Sequence, residues 1–126
     1  MAEIITVNVL ARENDNAPID TIALAGELLA PGLAITPALL DGALSGGWTV
    51  THLPSGKAVS AGAGACLACL RFAAKALVEA DVDWTRDGDA IKDDPAASRA
   101  GHEFGSAAYE CGGVDCEASH YLPAAA

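Results

Sequence analysis

Four cysteines and two of the three histidines fall at spacings that suit a metal ion. The cysteines form two close pairs, Cys66-x2-Cys69 and Cys111-x4-Cys116; His120 follows Cys116 by four positions, and His102 precedes Cys111 by nine. Zinc takes four thiolate or imidazole ligands in a tetrahedron, commonly as two close pairs brought together by the fold. Two ligand sets meet that need. One is Cys66, Cys69, Cys111 and Cys116; the other lies within the tail and uses His102, Cys111, Cys116 and His120. Gly112 and Gly113 let the backbone curl between Cys111 and Cys116. Zinc is therefore the expected cofactor, and in the tail set its binding would supply folding free energy to a segment poor in apolar residues. Cys66 and Cys69 also share an apolar helix stripe, where cysteine packs as a small hydrophobe.

Other constellations carry weaker chemistry. Cys66-Leu67-Ala68-Cys69 at a helix start has the form of a thiol-redox pair, but a hairpin precedes it rather than the strand of a βαβ unit. A calcium-loop register runs Asp83, Thr85, Asp87, Gly88, Asp89 and Asp94 at positions one, three, five, six, seven and twelve. Threonine is a poor third ligand, and aspartate replaces the bidentate glutamate at the end, so calcium is not expected. His52 has Ser55 and Ser60 nearby, yet no nucleophile-elbow spacing surrounds them. Gly42–Gly47 lacks the lysine of a phosphate loop. With no catalytic motif, no catalytic residue is assigned, and the chain is expected not to be an enzyme.

The elements that would position these residues follow from pattern. Ile5, Val7 and Val9 alternate with Thr6 and Asn8, which predicts a strand over Ile4–Leu10. Asn14, Asp15 and Asn16 mark a loop. Asp20 reads as an N-cap, with Ile22, Ala25, Leu28 and Leu29 at helical spacing until Pro31-Gly32. Thr36-Pro37 repeats that grammar and predicts a second short helix, Pro37–Leu44. Trp48–His52 and Lys57–Val59 flank Leu53-Pro54-Ser55-Gly56, a β-hairpin with a proline-led turn. Ala65–Ala80 carries Cys66, Cys69, Leu70, Ala73, Ala74, Leu77 and Val78 as the apolar stripe of the best helix in the chain. An acidic connector over 79–94 leads to Asp94-Pro95, which caps a short helix ending near Arg99. From Gly101 onward little periodicity remains.

Composition bounds the function classes. The 126 residues are one domain's worth of chain, 28 of them alanine, and only 5% are aromatic. The formal charge is −10, so the basic footprint that grips nucleic-acid phosphates or an anionic membrane is missing. No apolar run reaches the roughly 18 residues of a membrane span. Met1–Leu10 has no positive n-region, so a cytoplasmic location is expected. Between Glu79 and Glu117 eleven acids face three bases, Arg86, Lys92 and Arg99. Such a segment keeps a protein soluble, and it also suits docking on a basic protein partner.

The run Gly46–Val59, followed by an alanine-rich helix and the Asp81-Val82-Asp83-Trp84 segment, resembles small accessory proteins encoded by phages of actinobacteria. The resemblance covers about 40 residues and implies a host-interaction or inhibitor role in the host cytoplasm. It carries over no catalytic residue. The resulting expectation is an α+β fold: the N-terminal strand and the 48–59 hairpin form a small antiparallel sheet, covered by helix 65–80 and short helices. Residues 1–100 form the core, with 101–126 a Cys/His-containing tail packed on it. The expected function is a non-enzymatic acidic protein-interaction module with a structural zinc site. A virion or assembly component forming homo-oligomers, and a thiol-redox protein, are the alternatives. A homodimer would suit so small a core.

Overall fold

The computed structural model describes residues 3–12, 14, 16–40, 43–59 and 65–110. They form an α+β fold in which a curled five-stranded antiparallel meander is followed by helices. The strands are β1 (Ile4–Ala11), β2 (Asp20–Ala30), β3 (Leu33–Leu40), β4 (Ala43–His52) and β5 (Lys57–Ala58), paired in chain order. The helices are α1 (Leu67–Glu79), α2 (Gly88–Lys92) and α3 (Pro95–Tyr109). Among the described residues no helix is long and apolar enough to cross a membrane.

The N-terminal strand, the hairpin and the helix after it stand where the sequence places them. Two expected helices do not. Residues 20–30 are β2, paired with β1 from Ile4↔Glu27 to Ala11↔Asp20. The segment Ile22, Leu24 and Gly26 alternates with Thr21, Ala23 and Ala25 as well as it fits a helical stripe, and the exposure pattern follows the alternation. β2 is bonded to β1 on one edge and to β3 on the other, whereas an isolated helix of this length is marginal in water. Pro31-Gly32 closes a hairpin rather than stopping a helix, with Gly32 at φ +90°. Residues 37–40 likewise belong to β3 and residues 43–44 to β4, with Pro37 opposite Trp48 and the register shifting before Leu39. That irregularity is where a proline without an N–H is tolerated in a sheet.

β3 is buried on both faces. Leu33 and Ile35 point with Val50 toward Leu70, Leu77 and Phe104 of the helices and toward Trp84. Ala34 points the other way, with Val7 and Val9, and Ile5, Leu24 and Leu53 pack against them. On the same face as Ala34, Thr36 and Thr51 are fully buried, and their hydroxyls bond each other at 2.8 Å. The sheet curls far enough for the Leu10 amide on β1 to donate to the Gly56 carbonyl in the β4–β5 turn at 3.0 Å. A side chain at Gly56, where φ is +72°, would collide with the Asn8 carbonyl. The glycine is therefore required by its conformation and by the closure.

α1 and α3 pack through small residues, Ala73 and Ala74 on one and Ala97 and Ala100 on the other. Alanine faces let the two helices approach closely, which is the use the fold makes of its alanine-rich composition. α3 runs ten residues past the expected end at Arg99, and Phe104 is 1% exposed in the same core as Leu77. The stripe Ala97, Ala100, Phe104 and Ala107/Ala108 is helical in period, but alanine makes it faint to a hydropathy reading. Burying Phe104, Leu70 and Leu77 contributes about 1.5–3 kcal/mol each. At the other end of α1, Arg71 reaches Glu27 on β2 with paired bonds of 2.9 and 3.0 Å. Arg71 is half exposed, so the pair orients the helix more than it stabilises it.

Candidate functional site

The site begins with the hairpin tip. β4 ends at His52, and the turn closes by a bond of 2.8 Å from the Gly56 amide to the His52 carbonyl. This turn brings Ser55 back over the histidine, Oγ 2.8 Å from Nδ1. The other ring nitrogen, Nε2, lies 2.8 Å from the Trp84 carbonyl oxygen. A carbonyl only accepts, so Nε2 carries the proton, and in the neutral ring Nδ1 accepts from the Ser55 hydroxyl. Ser55 Oγ in turn accepts from the Lys57 amide at 3.2 Å. The His52 side chain is buried, with both nitrogens used.

Trp84 fixes the far side. It lies in the acidic connector, yet its ring is buried, and its indole N–H donates to the Leu77 carbonyl near the end of α1 at 3.1 Å. Its own carbonyl is presented to His52 beside Gly32. Any side chain at Gly32 would overlap the Trp84 carbonyl and the Thr85 amide. The β2–β3 turn, the hairpin tip and the connector therefore meet at one point.

The connector then turns into helices. Asp87 caps α2 by accepting from the Ala90 amide at 2.8 Å, and Asp94 caps α3 by accepting from Ala96 at 2.9 Å. Arg86 holds Asp94 in an ion pair, and the same bond, with the Ala96 amide behind it, pulls the Asp94 carboxyl below its ordinary value. Asp83 is lowered too, first by the Thr85 hydroxyl and then by the Thr85 amide. Of the calcium register, Asp87 and Asp94 are thus helix caps on either side of α2, Asp83 binds its neighbour Thr85, and Asp89 is in the first turn of α2. Asp81, Asp83, Asp87, Asp89 and Asp93 remain exposed.

Between the hairpin tip, α2 and α3 opens a cleft of about 620 Å³. Val59, Ile91 and Ala97 supply its apolar surface, Ser55 and Ser98 its hydroxyls, and Lys57, Lys92 and His102 its cationic or imidazole groups. Asp89 is the one acid among the residues that line it. Neither lysine forms an ion pair with a described residue.

His102 is the one residue of the tail ligand set within the described residues; it is exposed on α3 at this cleft. Cys111, Cys116 and His120 lie outside the described residues, as does Ser60. Cys66 is buried as the N-cap of α1, and its Sγ accepts from the Cys69 amide at 3.4 Å; Cys69 is half-buried. Among the described residues no three His, Cys, Asp or Glu side chains converge as a metal site. Lys57, Lys92, Ser98 and Trp84 were not legible as site residues. Ser55 was, since a Pro54-Ser55-Gly56 turn puts it three residues beyond His52. Trp84 comes to His52 from 32 residues away, and no spacing signals that.

No protein-family model, curated protein or solved structure matches the chain.

Proposed function

We propose that the chain is a non-enzymatic binding module and that the cleft between the β4–β5 tip, α2 and α3 is its binding site. The observation that supports this reading is the division of labour inside the cleft. His52 and Ser55 are hydrogen-bonded to each other, His52 also to the Trp84 carbonyl and Ser55 to the Lys57 amide, a pattern shared by a structural clasp and by a nucleophile with its base. They hold the hairpin tip in place. Ser98, Lys57, Lys92 and His102 stand around the opening, exposed. A volume of about 620 Å³ lies in the range of pockets for small organic ligands, roughly 300–1,000 Å³. Walls pinned by hydrogen bonds lower the ordering cost of binding.

Gly101 provides the test. It lines the cleft on α3, and a Cβ there would meet Val59 only at ordinary contact distance. Gly101→Leu raises helix propensity while projecting a side chain into the cleft. In ¹H–¹⁵N spectra of the whole chain against a set of small organic fragments, hits should shift the amides of Ser55, Lys57, Ser98 and His102. Those shifts should vanish in Gly101→Leu. Hits that survive Gly101→Leu, or a set with none at these amides, would overturn the site. Hydrolysis of p-nitrophenyl acetate should be equal for the native chain and Ser55→Ala; a loss in the variant would overturn the non-enzymatic reading.

A further inference from the structure

We infer that the ligand of this cleft is a small organic anion, a carboxylate or phosphate attached to an apolar body. The inference rests on the cleft being the binding site. The argument is one of local charge against global charge. The chain holds 17 acids and seven lysines and arginines. Arg71 is paired with Glu27, Arg86 with Asp94, and Lys75 lies over the Phe72 ring at 5.5 Å. Lys57 and Lys92, by contrast, come from β5 and α2 to the same cleft, with His102 from α3 beside them.

Lys57 and Lys92 offer two ammonium groups to one concavity, where an anion could meet both. Asp89 is the one lining acid, and it is not within ion-pair distance of either lysine. The polar groups that are left are donors or can donate: two ammoniums, an imidazole and the Ser98 hydroxyl. Ammonium-to-oxyanion bonds are the stronger class of hydrogen bond. Asp87 and Asp93 flank α2 but do not line the cleft, so the polar surface that a ligand would meet is richer in donors than in carboxylates. Val59, Ile91 and Ala97 offer the apolar part of a ligand a surface to cover.

Isosteric probes separate charge from shape. Benzoate and phenyl phosphate should shift the cleft amides saturably in ¹H–¹⁵N titrations of the whole chain at low ionic strength. Benzamide should bind about tenfold more weakly, since it lacks the charge that strengthens each bond. Benzamidinium should bind no better than benzamide. In Lys57→Gln/Lys92→Gln, two exposed positions, benzoate should fall to the benzamide level with shifts outside the cleft unchanged. Benzamide binding as well as benzoate, or benzoate binding unaltered in the double variant, would overturn the anion inference and leave the cleft standing. Failure of all four probes to move a cleft amide would overturn both. Tighter binding of phenyl phosphate than of benzoate would select a phosphate ligand, and the reverse a carboxylate.

Discussion

His52 Nε2 donates to the Trp84 carbonyl oxygen at 2.8 Å, joining the tip of a hairpin to a connector 32 residues later. The bond is buried, and the indole of the same Trp84 is anchored to Leu77. Two side chains, His52 and Trp84, thus tie sheet, connector and α1 together, and both line the cleft. His52→Ala removes both ring bonds and leaves the Trp84 carbonyl facing a void. It should cost about 2–4 kcal/mol in urea unfolding. Ser55→Ala, which removes only the outer bond, should cost about 1 kcal/mol.

Gly32 and Gly46 have nearly the same backbone angle, φ +90° and +89°. Their surroundings differ: a Cβ at Gly46 meets nothing within 4 Å, whereas at Gly32 it would overlap Trp84. Gly46→Ala should therefore cost only the conformational strain, about 1–2 kcal/mol. Gly32→Ala should cost about 3 kcal/mol or more, because backbone and not a flexible side chain must give way. Chemical denaturation of the two variants side by side checks the contrast.

The buried hydroxyls of Thr36 and Thr51 have each other as partners at 2.8 Å. Thr36→Val leaves the Thr51 hydroxyl in the core without its partner and should cost about 1–3 kcal/mol. Thr36→Val/Thr51→Val, which removes both polar groups at constant shape, should be close to neutral. A double-mutant cycle should return a coupling of about 0.5–3 kcal/mol. Additive single effects would mean the two hydroxyls are not paired.

Acid should loosen the junction of connector and α3. The Arg86 bond and the Ala96 amide hold the Asp94 carboxyl below its ordinary value of 3.8 in the folded chain. The folded value is depressed, so its stabilisation is fully present above the unfolded value and is lost as pH falls through the folded one. Asp83, lowered by Thr85, adds in the same direction. Stability should thus decline as pH drops below about 4. Asp94→Asn keeps the α3 cap and removes the titration, so its stability profile from pH 6 to pH 2 should be flatter than that of the native chain. Equal slopes would show that Asp94 does not contribute.

Much of the architecture follows from local pattern alone. Alternation at Ile5, Val7 and Val9 specifies β1, the Pro54-Ser55-Gly56 turn specifies the hairpin, and the Leu70, Ala73, Ala74, Leu77 stripe specifies α1. Asp94-Pro95 specifies the start of α3 through cap chemistry that needs nothing distant. These signals are strong because each is decided by the conformation of a few neighbouring residues. The segments 20–30 and 37–44 were not legible: the apolar positions of the first satisfy a helical and an alternating period at once, and Thr36-Pro37 before the second has the form of a helix cap. Only the β1 partner, and a β3 buried on both faces, resolves that ambiguity in favour of strands. The end of α3 was hidden for a related reason: alanine marks a buried helix face only when another alanine face packs on it. The cleft was least legible of all. Its lysines, serines and histidines are ordinary surface residues in the sequence, and three distant elements make them neighbours only after Trp84 has been drawn against His52. Local preference thus chose the turns, the caps and the best helix, whereas long-range pairing and burial chose the other two strands and assembled the site.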